Sequence, residues 1–110
     1  MRVELYIDDS GESPFESWYS KLDNSLKIRV DARLARINEL GNLGDFKSLK
    51  DGVFELRFLM HSGLRIYFGR EKDTLILLLT GGNKGSQSKD IDKAKAYWKK
   101  YKGADRGKKN

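Results

Sequence analysis

Four side chains stand out as groups able to act on a phosphodiester: Arg57, Arg65, Tyr67 and Lys84. A guanidinium presents a rigid fork of donors that matches phosphate oxygens. A tyrosine can stack on a base or hold a sugar hydroxyl. Lys84 sits in the stretch Gly81-Gly82-Asn83-Lys84-Gly85-Ser86, where glycines let a backbone approach a ligand closely. That stretch lacks the spacing of a P-loop, and a plain strand-to-helix connection explains it equally well. The chain has no cysteine and one histidine, which leaves no thiol nucleophile, no thiolate metal site and little prospect of zinc. His61 falls in an expected turn beside Gly63 and reads as a solvent-exposed histidine rather than a general base. No metal and no cofactor are expected.

Whether these groups act together depends on the strands that carry them. Phe54, Leu56 and Phe58 alternate with Glu55, Arg57 and Leu59, so the two sets point to opposite sheet faces. Leu64, Ile66 and Phe68 likewise share a face, leaving Arg65 and Tyr67 on the other. The apolar triplets belong to the core. Arg57, Arg65 and Tyr67 are then expected together on an open face, although Arg57 could instead pair with Glu55 or Glu71.

The remaining elements frame those strands. Val3, Leu5 and Ile7 alternate with polar residues and predict a first strand with one buried face. Ser13, Pro14 and Glu16 then spell an N-cap, a first helical position and the third residue of a capping box. Phe15, Trp18, Tyr19 and Leu22 supply that helix's apolar side. A second helix is predicted over 23–40, with Leu26, Val30, Leu34, Ile37 and Leu40 as its stripe. Lys27, Arg29, Arg33 and Arg36 lie mostly off it, and Gly41 offers the left-handed stop. A loop is expected over 42–52, carrying Lys47 and Lys50. Strands over 53–60, 64–70 and 74–80 have short links and predict an antiparallel meander. The last helix is predicted over 89–101 with Gly103 as its end. The expected class is α+β: a small antiparallel sheet in the order β-α-α-β-β-β-α, one face packed by helices. The expected organisation is one domain over 1–102 and a basic, flexible tail over 103–110.

Charge is unevenly placed along this frame. The formal net charge is +6, yet residues 1–83 hold 12 Lys and Arg against 13 Asp and Glu, and residues 84–110 hold 10 against 3. Such a basic end favours phosphate-bearing or acidic partners, with Lys89 and Lys93 as RNA-backbone candidates; a merely solvated helix face is the other reading. No signal peptide is read at the N-terminus, since Glu4 arrives early and no apolar stretch follows. The longest apolar run, 75–79, is too short to span a bilayer, so a cytoplasmic protein with no membrane partner is expected.

Several segments in order resemble the RelE/ParE toxin superfamily, in particular its HigB-like addiction module killer branch related to phage Gp49-like proteins. They are Ser-Pro-Phe-Glu-Ser-Trp at 13–18, Gly-Asn-Leu-Gly-Asp-Phe-Lys at 41–47, Gly-Val-Phe-Glu-Leu-Arg at 52–57 and Gly-Leu-Arg-Ile-Tyr-Phe-Gly at 63–69. Leu-Leu-Leu-Thr-Gly-Gly-Asn-Lys at 77–84, Gln87, Asp90, Ile91 and the run 94–98 complete the set. Leu64 departs from the tyrosine this branch commonly places before the arginine. The resemblance implies a RelE-like fold and a type II toxin: a metal-independent endoribonuclease that cleaves mRNA on the ribosome by 2′-OH attack on the adjacent phosphate. It implies Arg57, Arg65 and Lys84 as catalytic residues, with Lys47 and Lys50 as weaker loop candidates beside Tyr67. It also implies a cognate antitoxin, commonly a helix-turn-helix protein, through whose complex alone operator DNA is bound. Two alternatives stay open from the residues: a ParE-like inhibitor of DNA gyrase, and a non-catalytic basic module that binds RNA or protein.

Overall fold

In the computed structural model, residues 1–59, 63–72 and 74–108 are described, with side chains as far as residue 103. His61, placed above in a turn, Met60 at the end of the strand expected over 53–60, and Asp73 in the link before the strand expected over 74–80 lie outside the described residues. The chain opens with strand β1 (Arg2–Leu5). Helix α1 (Pro14–Tyr19) follows, and the Ser13 hydroxyl accepts from the Glu16 N–H at 3.0 Å, with Pro14 at the start as its fixed φ favours. Helix α2 (Asn24–Leu40) is capped by the Asp23 carboxylate, which accepts from the Leu26 N–H, and it ends where Gly41 turns left-handed at φ 69°.

Strands β2 (Phe46–Ser48), β3 (Val53–Arg57), β4 (Arg65–Glu71) and β5 (Leu75–Gly82) come next. A 3-10 turn over Lys84–Ser86 leads into helix α3 (Gln87–Lys108). The strands form one five-stranded sheet in the order β1-β5-β4-β3-β2. The meander β3-β4-β5 is antiparallel as expected, and β1 lies parallel to β5. A parallel neighbour requires a long crossover, and everything from α1 to β4 provides it. The domain is therefore a small α+β unit with a mixed sheet packed by helices.

Four expectations are corrected. The sheet is mixed rather than purely antiparallel. The expected loop over 42–52 contains β2, an exposed edge strand paired with β3 from Phe46 opposite Leu56 to Ser48 opposite Phe54. Three solvent-facing residues among glycines carry no alternation to betray a strand. Gly103 does not end α3, which continues to Lys108; a helix-interior glycine costs about 1 kcal/mol relative to alanine but does not by itself stop a helix. Finally, both sheet faces are covered. Beneath α1 and α2, Leu56, Ile66, Phe68, Ile76 and Leu78 pack with Phe15, Val30 and Ile37. Beneath α3, Val53, Tyr67, Leu77 and Leu79 pack with Ala94 and Trp98. The Trp98 ring reaches the sheet at Gly69, where a Cβ would lie 2.1 Å from the ring.

Smaller departures follow the same geometry. The alternation of β1 holds through Leu5, where its ladder with β5 ends. Tyr6 is buried on the α3 side, stacked on Tyr97, and Ile7 is exposed. Leu40, the last residue of α2, is also exposed.

Candidate nucleic-acid interface

Strand register brings the two sequence-predicted arginines side by side. Arg57 of β3 is directly opposite Arg65 of β4, and Arg65 is in turn opposite Gly82 of β5. The Phe58 N–H donates to the Leu64 carbonyl at 3.1 Å. That makes Phe58 and Leu64 the hydrogen-bonded pair and Arg57 and Arg65 a non-hydrogen-bonded one, the kind whose side chains stand closest. Two like charges directly opposite each other are unfavourable in a sheet. Carboxylates offset this pair from each side.

Arg65 is the deeper of the two, its side chain only 14% exposed. Its Nε lies 3.4 Å from the Glu55 carboxylate, and its Nη1 donates to the Gly63 carbonyl at 2.8 Å. Glu55 is itself buried, and its Oε2 accepts from Gln87 at the start of α3 at 2.9 Å. The Arg65 guanidinium is thus held by the link before β4 and by an ion pair with β3, its buried Nε making no hydrogen bond among the described residues, and α3 reaches it only through Glu55. Arg57 is more open, with its side chain 40% exposed and Nη2 3.2 Å from Asp45 Oδ1. Its Nε carries no hydrogen bond among the described residues. The backbone beneath it is fixed by Arg33 of α2, which donates to the carbonyls of Arg57, Leu43 and Asp45 at 3.0, 2.9 and 2.8 Å.

Lys84 joins this end of the sheet. A Cβ on Gly63 would lie 3.0 Å from the Lys84 Cβ and 3.1 Å from Arg65 Nη1, so the glycine lets the two cationic residues approach through it. The turn that carries Lys84 is held by reciprocal bonds between Asn83 and Ser86. Ser86 also donates to Asp90, and both lie over Gly82, where any side chain would collide with them. The start of α3 is thereby seated on the sheet next to the arginine pair.

Tyr67 does not share an open surface with the arginines. It is fully buried under α3, with its hydroxyl lacking a hydrogen bond among the described residues. Burial, and then the adjacent Glu55 carboxylate, push that hydroxyl well above the usual tyrosine pKa. The expectation that Tyr67 stacks a base is corrected, because period-2 alternation identifies a face but not what lies over it. Lys47 stands opposite Glu55, one row from Arg57, and is exposed. Lys50 sits at φ 72° in the β2–β3 turn, at the other end of β3 from Arg57. Lys89 and Lys93 are exposed on α3, and neither lines the clefts around Arg57 and Arg65. The structure gathers Arg57, Arg65 and Lys84, sets Lys47 beside them, and leaves Lys50, Lys89 and Lys93 apart.

Four residues of this arrangement escaped sequence reasoning as working parts: Arg33, Asp45, Glu55 and Gln87. Glu55 shares the period-2 face of Arg57, so its place was readable while its pairing with Arg65 was not. Arg33 is one of several arginines on α2, and nothing in its spacing marks it as the one that ties the helix to the sheet end. Among the described residues, no group of His, Cys, Asp and Glu side chains could hold a metal ion, and no helix is long and apolar enough to cross a membrane.

No protein-family model matches the chain. A protein of Haemophilus influenzae (strain Rd), described as an uncharacterized protein, is 46% identical over 82 residues, covering 74% of this chain and 82% of that protein. At that identity over that share of both sequences, the chain belongs to the same family as the Haemophilus influenzae protein.

Proposed function

We propose that this protein is a RelE-like toxin of a type II toxin–antitoxin module that cleaves mRNA on the ribosome. The observation that carries the reading is the cross-strand pair Arg57 and Arg65 at a solvent-opening end of the sheet, with Lys84 at its margin. Two adjacent guanidiniums, one held rigid by Glu55 and Gln87, suit a phosphoryl group that gains charge during reaction. The 2′-oxygen of the ribose forms a bond to phosphorus as its proton departs. The bond from phosphorus to the 5′-oxygen breaks, and that oxygen takes up a proton. The product is a 2′,3′-cyclic phosphate. Arg57 and Arg65 stabilise the developing charge on the non-bridging oxygens, and Lys84 anchors the neighbouring backbone. The ribosome supplies the in-line geometry of the strand, in keeping with a cytoplasmic site of action. A helix-turn-helix antitoxin is the expected partner, and operator DNA is reached only through that complex.

Primer extension on mRNA in a translating extract tests this reading. Wild-type protein should give discrete cleavage ends, and Arg57→Ala and Arg65→Ala should abolish most of them. Full cleavage by both variants would overturn the assignment. DNA breaks in treated cells without mRNA ends would instead point to gyrase poisoning.

A further inference from the structure

The wall facing the arginine pair has no role in the reading above. One cleft of about 430 Å³ runs between α2, through Arg29, Arg33 and Arg36, and the sheet end at Arg57 and Leu59. A second of about 350 Å³ shares Asp45, Arg57, Phe58 and Leu59 with it and ends on Gly63 and Arg65. Shared walls make the two one continuous trough. Among the described residues, five arginines line it against one carboxylate, that of Asp45.

The five differ in what they already hold. Arg33 spends its donors on three backbone carbonyls, and its guanidinium lies over the Phe58 ring at 4.9 Å. Arg65 is tied to Glu55, and Arg57 leans on Asp45. Arg29 and Arg36 are exposed and have neither a hydrogen bond nor an opposite charge among the described residues. They are seven residues apart, two helical turns or about 10 Å along one side of α2. Packing does not require two uncompensated guanidiniums beside three others. A chain of phosphates would relieve the repulsion between them. Leu59, 91% exposed at the rim common to both clefts, adds an apolar surface of the kind an unstacked base can cover.

The recess of Arg65 selects the form of the polyanion. A duplex presents its phosphates on a stiff convex surface, whereas a single strand can bend inward and splay its bases. We propose that the trough is the track for a single RNA strand, with Arg29 and Arg36 holding backbone phosphates that flank the one held by Arg57 and Arg65. This rests on the RNA reading of the sheet-end site and extends it to a specific path over α2.

The test is direct binding without the ribosome. A fluorescein-labelled single-stranded RNA of mixed sequence is titrated by anisotropy, across salt from about 50 to 200 mM, with wild type and with Arg29→Ala/Arg36→Ala. Loss of two phosphate contacts should reduce the slope of log affinity against log salt by about 1.4, and lower affinity at the low-salt end by about tenfold or more. Both residues are exposed, and an unchanged melting curve verifies that the variant is folded. An unchanged slope overturns the track, as does a wild-type protein that does not bind the RNA. Tighter wild-type binding to an RNA duplex of the same length overturns the single-strand assignment. Since no cleavage is measured, a failure of the toxin reading is separable: binding can keep its slope difference while translating extracts show no cut mRNA, and cut mRNA can occur while the slope stays equal.

Discussion

The two faces of the sheet bury similar elements for different ends. On the α1–α2 face the core is mainly apolar, from Phe15 and Val30 to Ile66, Phe68 and Leu78, with the Ser13 cap and Arg33 at its margins. On the α3 face an apolar half around Leu77, Leu79 and Trp98 gives way to buried Glu55, Thr80 and Asp90. Burying polar groups costs energy unless each finds a partner. Here Glu55 has Arg65 and Gln87, and Asp90 has Ser86. The difference teaches that α3 does more than shield the sheet. Its first turn holds Arg65 in place through Glu55, while α2 reaches the site from the other face only at the sheet end, where Arg33 fixes the backbone of Arg57.

That contrast can be broken in graded ways. The largest effect is expected in the apolar core beneath α1 and α2. Phe68→Ala should cost about 3–5 kcal/mol of stability in urea unfolding, and any protein that remains folded should retain its cleavage pattern. Arg57→Ala should do the reverse. Its ion pair with Asp45 is partly exposed and worth about 0–1 kcal/mol, whereas its cleavage rate should fall about 100- to 1000-fold. Equal rates for wild type and Arg57→Ala would erase the functional distinction between the faces. Gly69→Ala probes the seat of α3: the new methyl would collide with Trp98, and a loss of about 1–3 kcal/mol is expected from the thermal midpoint. A gain in stability would mean that α3 is not packed against β4 as described.

A smaller effect belongs to the α1 cap. Ser13→Ala should cost about 1 kcal/mol in chemical denaturation, with mRNA cleavage unaltered, since α1 lies on the face away from the arginines. The smallest effect is one of pH. Tyr67 holds its proton to higher pH in the folded chain than when unfolded. Its contribution is therefore full below about pH 10, the unfolded value, and is lost as pH rises through the folded one. Compared by urea midpoint between about pH 8 and 11, Tyr67→Phe should lose less stability than wild type at the alkaline end. Parallel decline of the two would show that the hydroxyl is not held away from solvent.

Much of this architecture was legible locally. Ser13-Pro14 and Gly41 mark the helix ends because capping is a matter of a few adjacent residues. Period-2 alternation in β3 and β4 separated Phe54, Leu56 and Ile66 from Arg57 and Arg65, and the register keeps them on opposite faces. The site was legible only as a set of cations on one face. Lys50, Lys89 and Lys93 stood as binding candidates alongside catalytic Lys84, because residue type and exposure do not encode distance. Tyr67 looked exposed because the strand pattern cannot announce that a helix some twenty residues later will cover it.

The sequence by itself determined which residues alternate, where helices begin, and that Arg57 and Arg65 point away from the main apolar core. Those properties depend on neighbours along the chain and on the fixed periods of strand and helix. Tertiary structure alone decided that α3 closes the second face, that Glu55 and Gln87 hold Arg65, and that Arg29 and Arg36 line the same trough as the arginine pair. Each of these joins residues distant in sequence, and only packing of the helices onto the twisted sheet sets which of them meet.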